Sequence, residues 1–315
     1  MYKKIILSMV LIFCLAGCAI TPKSDNVHNN ASQNTYIKSV FIAYYELEGF
    51  TKNNDEKTFK KEISKAFKEL ADKGFNRVTV QVRPCADAFY KSNYFPTSEY
   101  MFGYQGAKLI YDPLEIMIDT AHKYNLSIEA WINPYRVSQR NDFSLLAKNN
   151  IALKWQNTSK LIVLDNGIYF NPCYNEVTDL IVKGVKEILS NYNVDSLCFD
   201  DYFYPTTEES IDAAQFAASG AADLAAWRRQ NVTALVKKVH DTVKTADPTL
   251  RFGISPQGNP DNDLNSQYSD VTAWLAAGGE EQVVDYLCPQ IYWGYGYTLQ
   301  SGSTRFAFEN IVPAW

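Results

Sequence analysis

The chain has 315 residues, of which 46% are hydrophobic and 14% aromatic, and its formal net charge is -5. This length and apolar content are sufficient for a large core, which excludes a disordered protein. The charge is small and follows no pattern along the chain, so we expect no nucleic-acid partner. The predicted ligand is therefore neutral or modestly charged.

The N-terminus predicts export. Two lysines precede an apolar run over 5–15, which has the length of a signal-peptide core and is too short to span a bilayer. The run ends in LAGC at 15–18, which resembles a bacterial lipobox, where the signal is removed and the thiol of Cys18 is lipidated. An ordinary signal peptide that happens to contain a cysteine is the alternative. We therefore expect a signal peptide over 1–17 and a lipid anchor that holds the protein on the extracytoplasmic face of a cell-envelope membrane.

The residues after Cys18 predict a tether and then one folded domain. Positions 19–36 are rich in Asn, Ser, Thr and Lys and have almost no apolar residues, which is typical of a flexible segment. Apolar patterning begins near Ile37. The predicted organisation is a tether over 18–36 and a domain over 37–315.

Within this domain, short β-rich runs alternate with helical patterns. The predicted strands are 40–45, 77–83, 127–133, 195–200, 251–255 and 285–292. The helical patterns between them include 56–73, 113–124, 176–192 and 221–245. Such alternation predicts a parallel sheet, in either a barrel or a doubly wound fold.

The polar residues of the strands favour the barrel. In the strand over 77–83 the valines take the helix-covered face and leave Thr79, Gln81 and Arg83 opposite, and the later strands repeat this arrangement. A doubly wound sheet buries both faces, whereas polar residues at the C-terminal ends of one face are typical of a barrel mouth. Because only six strands are readable before Trp315, we expect an α/β fold of the TIM (β/α)8 type that lacks its C-terminal strands.

Seven motifs occur in the same order as in a known family. They are QVRP at 81–84 with DAFY at 87–90, YDPL at 111–114, AWINPYR at 130–136, FDDYFYP at 199–205, WRR at 227–229, FGISP at 252–256 and PQIYW at 289–293. Together they resemble the glycosyl-hydrolase-like 10 family of exported bacterial lipoproteins, formerly a domain of unknown function.

This resemblance implies a TIM-barrel glycosidase, and some relatives are implicated in cutting peptidoglycan glycan strands that have lost their peptides. Family members often have histidine at the positions of Glu129 and Cys198, so neither residue inherits a family role. Family chains also usually continue through two further strands, which leaves the activity of this chain as a question for experiment.

Adjacent carboxylates at the end of the strand over 195–200 are the leading catalytic candidates. Glycoside hydrolysis generally uses two carboxyl groups, one protonated and one ionised. Alternation directs Asp200 into the cavity and leaves Asp201 at the start of the loop, and repulsion between the two would raise the pKa of one of them. A turn carboxylate that bonds loop amides is the alternative for Asp201.

Glu129 is the other candidate for the second carboxylate, because it shares the cavity face of the neighbouring strand. Its alternative is a buried ion pair with Arg83. Asp87, in the loop after the second strand, is a third candidate. The sequence does not give the separation of the carboxyl groups, so retaining and inverting outcomes both stay open.

Aromatic and polar residues that end or follow the strands are the predicted sugar contacts. Flat rings with polar edges suit sugar faces, although packing is the alternative for any single ring. The predicted substrate-binding set is Arg83, Asp87, Trp131, Asn133, Tyr135, Arg136, Tyr202, Tyr204, Gln290, Tyr292 and Trp293.

Other chemistries have little support in the sequence. The chain has three histidines and no C-x-x-C pair, so we expect neither a metal site nor a cofactor. The favoured hypothesis is a glycoside hydrolase for a cell-envelope polysaccharide, with peptidoglycan glycan as the first choice. The alternative is a non-catalytic carbohydrate-binding lipoprotein on a degenerate or truncated barrel.

Overall fold

The computed structural model describes residues 12–13, 36–51 and 55–315. The predicted lipidation site Cys18 lies outside the described residues, as do all but two residues of the predicted signal peptide and all but one of the tether. Among the described residues, none of the helices combines the length and the apolar character that crossing a bilayer requires.

The described residues contain ten strands in two sheets. They are β1 (Ile12–Phe13), β2 (Lys38–Ile42), β3 (Arg77–Arg83), β4 (Ser127–Ile132), β5 (Arg136–Ser138), β6 (Leu161–Leu164), β7 (Gly167–Phe170), β8 (Ser196–Phe199), β9 (Arg251–Ile254) and β10 (Tyr286–Leu287). The larger sheet has the order β1-β2-β3-β4-β8-β9-β10, and the smaller has the order β5-β7-β6. All pairings from β2 to β10 in the larger sheet are parallel, whereas β1 pairs antiparallel with β2.

Eleven α-helices are described. They are α1 (Tyr44–Thr51), α2 (Glu56–Asp72), α3 (Glu99–Phe102), α4 (Pro113–Lys123), α5 (Ile151–Trp155), α6 (Asn175–Asn191), α7 (Ala213–Ser219), α8 (Leu224–Ala246), α9 (Pro260–Asn265), α10 (Val271–Ala276) and α11 (Phe308–Ala314). Three short 3-10 helices lie at Phe143–Leu145, Glu209–Ile211 and Gly279–Glu281. The four helices predicted from the sequence correspond to α2, α4, α6 and α8.

The parallel strands curl into half of a barrel surrounded by helices, which confirms the predicted fold class. One contact shows the curvature directly: the hydroxyl of Tyr286 on β10 donates to the carboxylate of Glu129 on β4. These strands are three places apart in the sheet, a separation of ~14 Å if the sheet were flat. The polar inner faces of the strands therefore meet across one cavity.

The helices pack on the outer face of the sheet for reasons that are visible in the sequence. Apolar residues of α2 recur at helical spacing, so that Phe59, Ile63 and Phe67 are all buried on one side. Asp112 caps α4 by accepting a hydrogen bond from the backbone N–H of Glu115, and a proline follows at the first helical position. These helices bury the apolar face of β3 and β4 and leave the opposite face for the cavity.

Two strands end well before their predicted last residues, whereas β4, β8 and β9 end one residue early. β2 ends at Ile42 and α1 begins at Tyr44, so the predicted last residues of this strand are helical. β10 ends at Leu287, because Pro289 has no N–H to donate and cannot continue the ladder. The small sheet after β4 was not predicted; β5, β7 and β6 place a short antiparallel layer at the mouth of the half-barrel.

Candidate active site

Asp200 lies at the mouth of the half-barrel, directly after β8, and is buried. Its carboxyl group accepts a hydrogen bond of 3.2 Å from Trp131 Nε1 and another of 3.2 Å from the backbone N–H of Tyr202. Burial, together with the charge of Asp201, raises the pKa of Asp200 to about 7. A carboxyl group with this pKa can hold a proton near neutral pH, as a general acid must.

Asp201 is also buried and lies at the same mouth. Its carboxylate accepts a hydrogen bond of 2.9 Å from Gln290 Nε2. Burial raises the pKa of Asp201, and hydrogen bonds from the side chains of Gln290 and Gln257 oppose that rise. The structure thus brings Asp200 and Asp201 into one cavity, with different surroundings for each.

Glu129 belongs to a closed network deeper in the half-barrel. Its carboxylate forms an ion pair of 3.1 Å with Arg77 and accepts hydrogen bonds from Thr79, Ser196 and Tyr286. The alternative of a buried ion pair is therefore the arrangement seen, although the partner is Arg77 and not Arg83. Because its carboxylate is already engaged by these partners, Glu129 is not available to act as the second catalytic carboxylate.

Arg83 and Asp87 are buried beneath the mouth rather than exposed to a ligand. The guanidinium of Arg83 donates to the carbonyl oxygen of Pro134 at 3.3 Å and lies over the ring of Phe95, and burial lowers its pKa to about 10. Burial raises the pKa of Asp87 to about 6, and Gln105 donates to its carboxylate at 3.4 Å. Both side chains support the loops of the mouth, so direct sugar contact is not supported for either.

Trp131 and Asn133 hold other groups of the site in place. Trp131 donates to Asp200 and packs edge-on against Phe41 with ring centroids 5.6 Å apart. Asn133 is fully buried and accepts a hydrogen bond of 2.7 Å from Gln81 Nε2. Trp131 remains partly exposed at the cavity. Asn133 is too deeply buried to reach a substrate, so the predicted sugar contact of Asn133 is corrected to a supporting role.

Tyr135 and Tyr204 are core residues, and their predicted sugar contacts are not supported. Both rings are buried. Tyr135 packs against Phe203, and Tyr204 packs against Tyr268 with centroids 5.2 Å apart. Packing, the alternative for these rings, is therefore correct for both.

Tyr202 and Tyr292 have accessible surface near the carboxyl pair, and Trp293, the next residue, is partly exposed. The exposed fractions of Tyr202 and Tyr292 are 47% and 64%. The Tyr292 hydroxyl donates to Gln290 Oε1 at 2.8 Å, which links the rim to Asp201 through one amide. Trp293 stacks on Phe306 at 4.5 Å. Of the predicted aromatic contacts, Tyr202 and Tyr292 have the most surface to offer a sugar.

Arg136 opens β5 at the edge of the cavity. Its Nε donates to the carbonyl oxygen of Pro84 at 2.9 Å. The guanidinium lies 5.1 Å from the ring centre of Tyr202 and 5.8 Å from that of Tyr44. Its positive charge lowers the pKa of both Asp200 and Asp201, so it lies close enough to influence the carboxyl pair.

Sequence reasoning missed several residues of this site. Tyr44 lies in a segment predicted as strand but begins α1, and its hydroxyl accepts a hydrogen bond of 2.6 Å from Gln139. Asp263 on α9 is buried, accepts from the backbone N–H of Gln257 at 3.1 Å, and has a pKa raised to about 8 by burial. Gln257 follows a predicted strand at the mouth, and this position could have indicated its role. No sequence pattern marks Asp263.

Among the described residues, no group of three or more His, Cys, Asp or Glu side chains could hold a metal ion.

A half-barrel of parallel strands surrounded by helices is consistent with a truncated barrel of the TIM type, in which functional groups lie at the C-terminal ends of the strands. Solved structures show the same fold class. The chain superposes on the PgaB (BpsB) glycoside hydrolase domain from Bordetella bronchiseptica with a TM-score of 0.55 and 11% identity, covering 80% of this chain and 73% of that one. It superposes on α-L-fucosidase isoenzyme 2 from Paenibacillus thiaminolyticus with a TM-score of 0.51 and 17% identity, covering 72% and 34%.

The chain belongs to the glycosyl hydrolase-like 10 family, whose model matches residues 36–306. It is 36% identical over 292 residues to glycosyl hydrolase YngK of Bacillus subtilis, covering 85% of this chain and 56% of that protein. It is 35% identical over 247 residues to glycosyl hydrolase DigH of Escherichia coli K12, covering 70% and 55%. The chain thus spans about half the length of these relatives.

Proposed function

We propose that this protein is a glycoside hydrolase that cuts O-glycosidic bonds of a cell-envelope polysaccharide, with Asp200 as the general acid. One observation carries the proposal: two neighbouring carboxyl groups at the barrel mouth have different surroundings. Burial raises the pKa of both groups, that of Asp200 to about 7, but hydrogen bonds from the amide side chains of Gln290 and Gln257 oppose the rise for Asp201 and favour its anion. Such a division between a protonated and an ionised carboxyl is what glycosidases use.

The proposed reaction assigns one step to each carboxyl group. Asp200 gives its proton to the glycosidic oxygen as the bond from that oxygen to the anomeric carbon breaks. Asp201 either attacks the anomeric carbon or removes a proton from the water that does so. Trp131 and the backbone N–H of Tyr202 orient the Asp200 carboxyl, and they also stabilise its anion once the proton has left.

The rim suits a glycan. Exposed rings of Tyr202 and Tyr292 offer apolar faces to sugar rings and hydroxyl groups to sugar oxygens. The predicted lipid anchor at Cys18 would hold the domain in the cell envelope, where peptidoglycan is an abundant glycan. Peptidoglycan glycan strands are therefore the proposed substrate, and the extracytoplasmic face of a membrane is the proposed location.

The test is the release of new reducing ends from purified peptide-free glycan strands by the full-length gene product. We expect hydrolysis by the wild type and a loss of about 10³-fold in kcat for Asp200→Asn, since general acid catalysis contributes about that much. Asp179→Asn is the matched control and should keep full activity, because Asp179 lies on α6 and forms only an exposed ion pair with Lys238. Binding of the strands without new reducing ends would contradict hydrolysis and favour the carbohydrate-binding alternative.

A further inference from the structure

Asp263 is a buried carboxyl group near the catalytic pair, and the proposed reaction does not use it. It lies on α9 with 0% of its surface exposed, and its Oδ1 accepts a hydrogen bond of 3.1 Å from the backbone N–H of Gln257. Its Oδ2 has no hydrogen-bond partner among the described residues. A buried polar atom without a partner costs free energy, so stabilisation of the fold is a poor explanation for this carboxyl group.

Gln257, which Asp263 holds by its backbone, belongs to the surroundings of Asp201. The backbone of Gln257 bridges to that of Gln290, and both amide side chains donate to the Asp201 carboxylate. Asn262, the neighbour of Asp263 on α9, donates to Gln257 Oε1 at 3.3 Å. Because that bond occupies the oxygen end of the amide, Nε2 is left to face Asp201. Two successive residues of α9 therefore fix Gln257, one through its backbone and one through its side chain.

The position of Asp263 is itself set by the fold. Its backbone carbonyl oxygen accepts hydrogen bonds from the N–H of Ser269 at 2.8 Å and from the hydroxyl of Ser269 at 3.2 Å. Asn259 caps α9 by accepting from the backbone N–H of Asp261, and a proline follows at the first helical position. The carboxyl group of Asp263 thus stands on a segment that is tied at both ends, as a residue that positions another must.

The charge of Asp263 also suits this place. Burial raises its pKa to about 8, and the negative charge of Asp201 contributes to that rise. At neutral pH the carboxyl group of Asp263 is therefore protonated, and it holds Gln257 without repelling the Asp201 anion. The other ionisable groups whose charges act with that of Asp201 are Asp200, Arg136, Tyr202 and Tyr292.

We propose that Asp263 is a positioning residue: its carboxyl group fixes the backbone of Gln257, so that Gln257 and Gln290 together keep Asp201 in the ionised form. This inference rests on the proposed function, in which Asp201 attacks the sugar or activates water and must be an anion to do so. Asp263 acts through Gln257 and does not touch the substrate. Its effect is therefore on the ionisation of Asp201 and on kcat, and KM should stay near the wild-type value.

The test measures the acid limb of the kcat profile on peptide-free glycan strands, which reports the ionisation of Asp201. Asp263→Ala releases the Gln257 backbone and weakens one of the two amide donors to Asp201. We expect the acid limb to move to higher pH by about half a unit to one unit, with kcat below the limb reduced about three- to tenfold. Asp263→Asn keeps an oxygen acceptor for the Gln257 N–H and is neutral, so it should return the limb to its wild-type position.

Asp261→Asn is the matched control, since Asp261 lies on the same helix in an exposed ion pair with Arg305, and it should leave the limb in place. Gln257→Ala should reproduce the shift of Asp263→Ala, and the double variant should shift no further, because both changes remove the same donor. Asp263→Leu fills the buried space without an acceptor and serves where the alanine variant does not fold. Shifts that add, an unmoved limb in both Asp263→Ala and Asp263→Leu, or an asparagine variant that shifts as far as they do would overturn the proposal.

A measurement without turnover separates this proposal from the proposed function. Carbon NMR titration of protein labelled at the aspartate carboxyl groups gives the midpoint of Asp201, whose signal is assigned by its absence in Asp201→Asn. If the wild type hydrolyses nothing, but the Asp201 midpoint rises in Asp263→Ala and returns in Asp263→Asn, the proposed function fails and the positioning role stands. If the wild type hydrolyses glycan and the Asp201 midpoint is the same in all variants, the function stands and the positioning role fails.

Discussion

Glu129 lies on β4, Asp200 directly follows the neighbouring strand β8, and each is 2% exposed, yet their hydrogen-bond partners differ greatly. Glu129 is engaged by one arginine and three hydroxyl groups. Asp200 receives one indole N–H and one backbone N–H. Glu129 pairs across the sheet with Ser196, at the beginning of β8, whereas Asp200 follows the end of that strand. Two equally buried acids thus lie at different depths along the barrel axis and have different hydrogen-bond partners.

This difference separates an acid that serves the fold from one suited to chemistry. The carboxylate of Glu129 is occupied by one ion pair and three hydroxyl donors, so it joins neighbouring strands and does not face a ligand. Burial and the charge of Asp201 raise the pKa of Asp200 to about 7, and its two hydrogen-bond donors oppose that rise only in part. Burial alone does not distinguish the two roles, but the inventory of partners does.

The largest effect on stability is expected from Glu129→Ala. The substitution leaves the Arg77 cation buried without its anion and removes the acceptor for three hydroxyl groups, so the free energy of unfolding should fall by about 3–5 kcal/mol. Chemical denaturation at pH 7 measures this. Asp241→Ala, in an exposed ion pair with Lys237, is the control and should cost less than about 1 kcal/mol. A loss for Glu129→Ala no larger than that control would refute the structural role of the network.

Asp200→Asn should have the opposite effect on stability, and only above a defined pH. The folded pKa of Asp200 is raised from 3.8 to about 7, so the folded state holds the proton more tightly than the unfolded state. Wild-type stability from this group is therefore complete below about pH 4 and declines as pH rises toward 7. At pH 8 the variant should be more stable than wild type by about 1–3 kcal/mol, because it avoids a buried anion.

Unfolding measurements of Asp200→Asn and wild type at pH 4.5 and pH 8 check this expectation. The gain should shrink markedly at the lower pH, where wild-type Asp200 is protonated in the folded state. Glu129→Gln provides the comparison, since it should not reproduce this gain at pH 8. A gain for Asp200→Asn that is the same at both pH values would show that the carboxyl group does not titrate in this range.

The pH dependence of turnover should show the same group. If Asp200 is the acid, kcat should decline on the alkaline side with a midpoint near pH 7, because the proton to be donated is lost as the carboxyl ionises. Initial rates of reducing-end release from pH 5 to 9 give the profile. The surface variant Asp179→Asn should leave the midpoint unchanged. An alkaline limb that is absent, or that lies above pH 9, would argue against Asp200 as the acid.

The framework of the fold could be predicted from the sequence because apolar periodicity and strand alternation reflect burial directly. The helix over 56–73 and the strand over 77–83 are confirmed nearly residue by residue, as α2 and β3. The small sheet of β5, β6 and β7 was missed, because its strands are three or four residues long and lie within a long connection. Periodicity over so few residues carries little information.

For the site, strand alternation predicts which face of the sheet a residue lies on, but it gives no depth along the barrel axis. Glu129 lies on the cavity face but is held in a buried ion pair. Its partner, Arg77, is 52 positions away in the sequence, so the sequence alone did not indicate the pair. Proximity to a strand end also overstated the role of aromatic residues: Tyr202 is half exposed, while Tyr204, two residues on, is buried against Tyr268. Tertiary packing decides these cases, and no local pattern reports it.

The smallest expected effect is that of Trp131→Phe, which tests whether the few donors to Asp200 set its pKa. The substitution keeps an aromatic ring beside Phe41 and removes the indole N–H that donates to Asp200 at 3.2 Å. A donor to a carboxylate stabilises its anion by about 1 kcal/mol, so its loss should raise the pKa of Asp200 by less than about one unit. The alkaline limb of the kcat profile should move to higher pH by that amount. Below pH 6, kcat should fall by no more than about tenfold, since the carboxyl group loses one contact that orients it.

Phe41→Leu, which alters the packing of Trp131 but keeps its N–H, is the control and should leave the alkaline limb in place. A limb that moves downward in Trp131→Phe would mean that the indole stabilises the protonated form of Asp200, and the division of roles between Asp200 and Glu129 would then rest on burial alone.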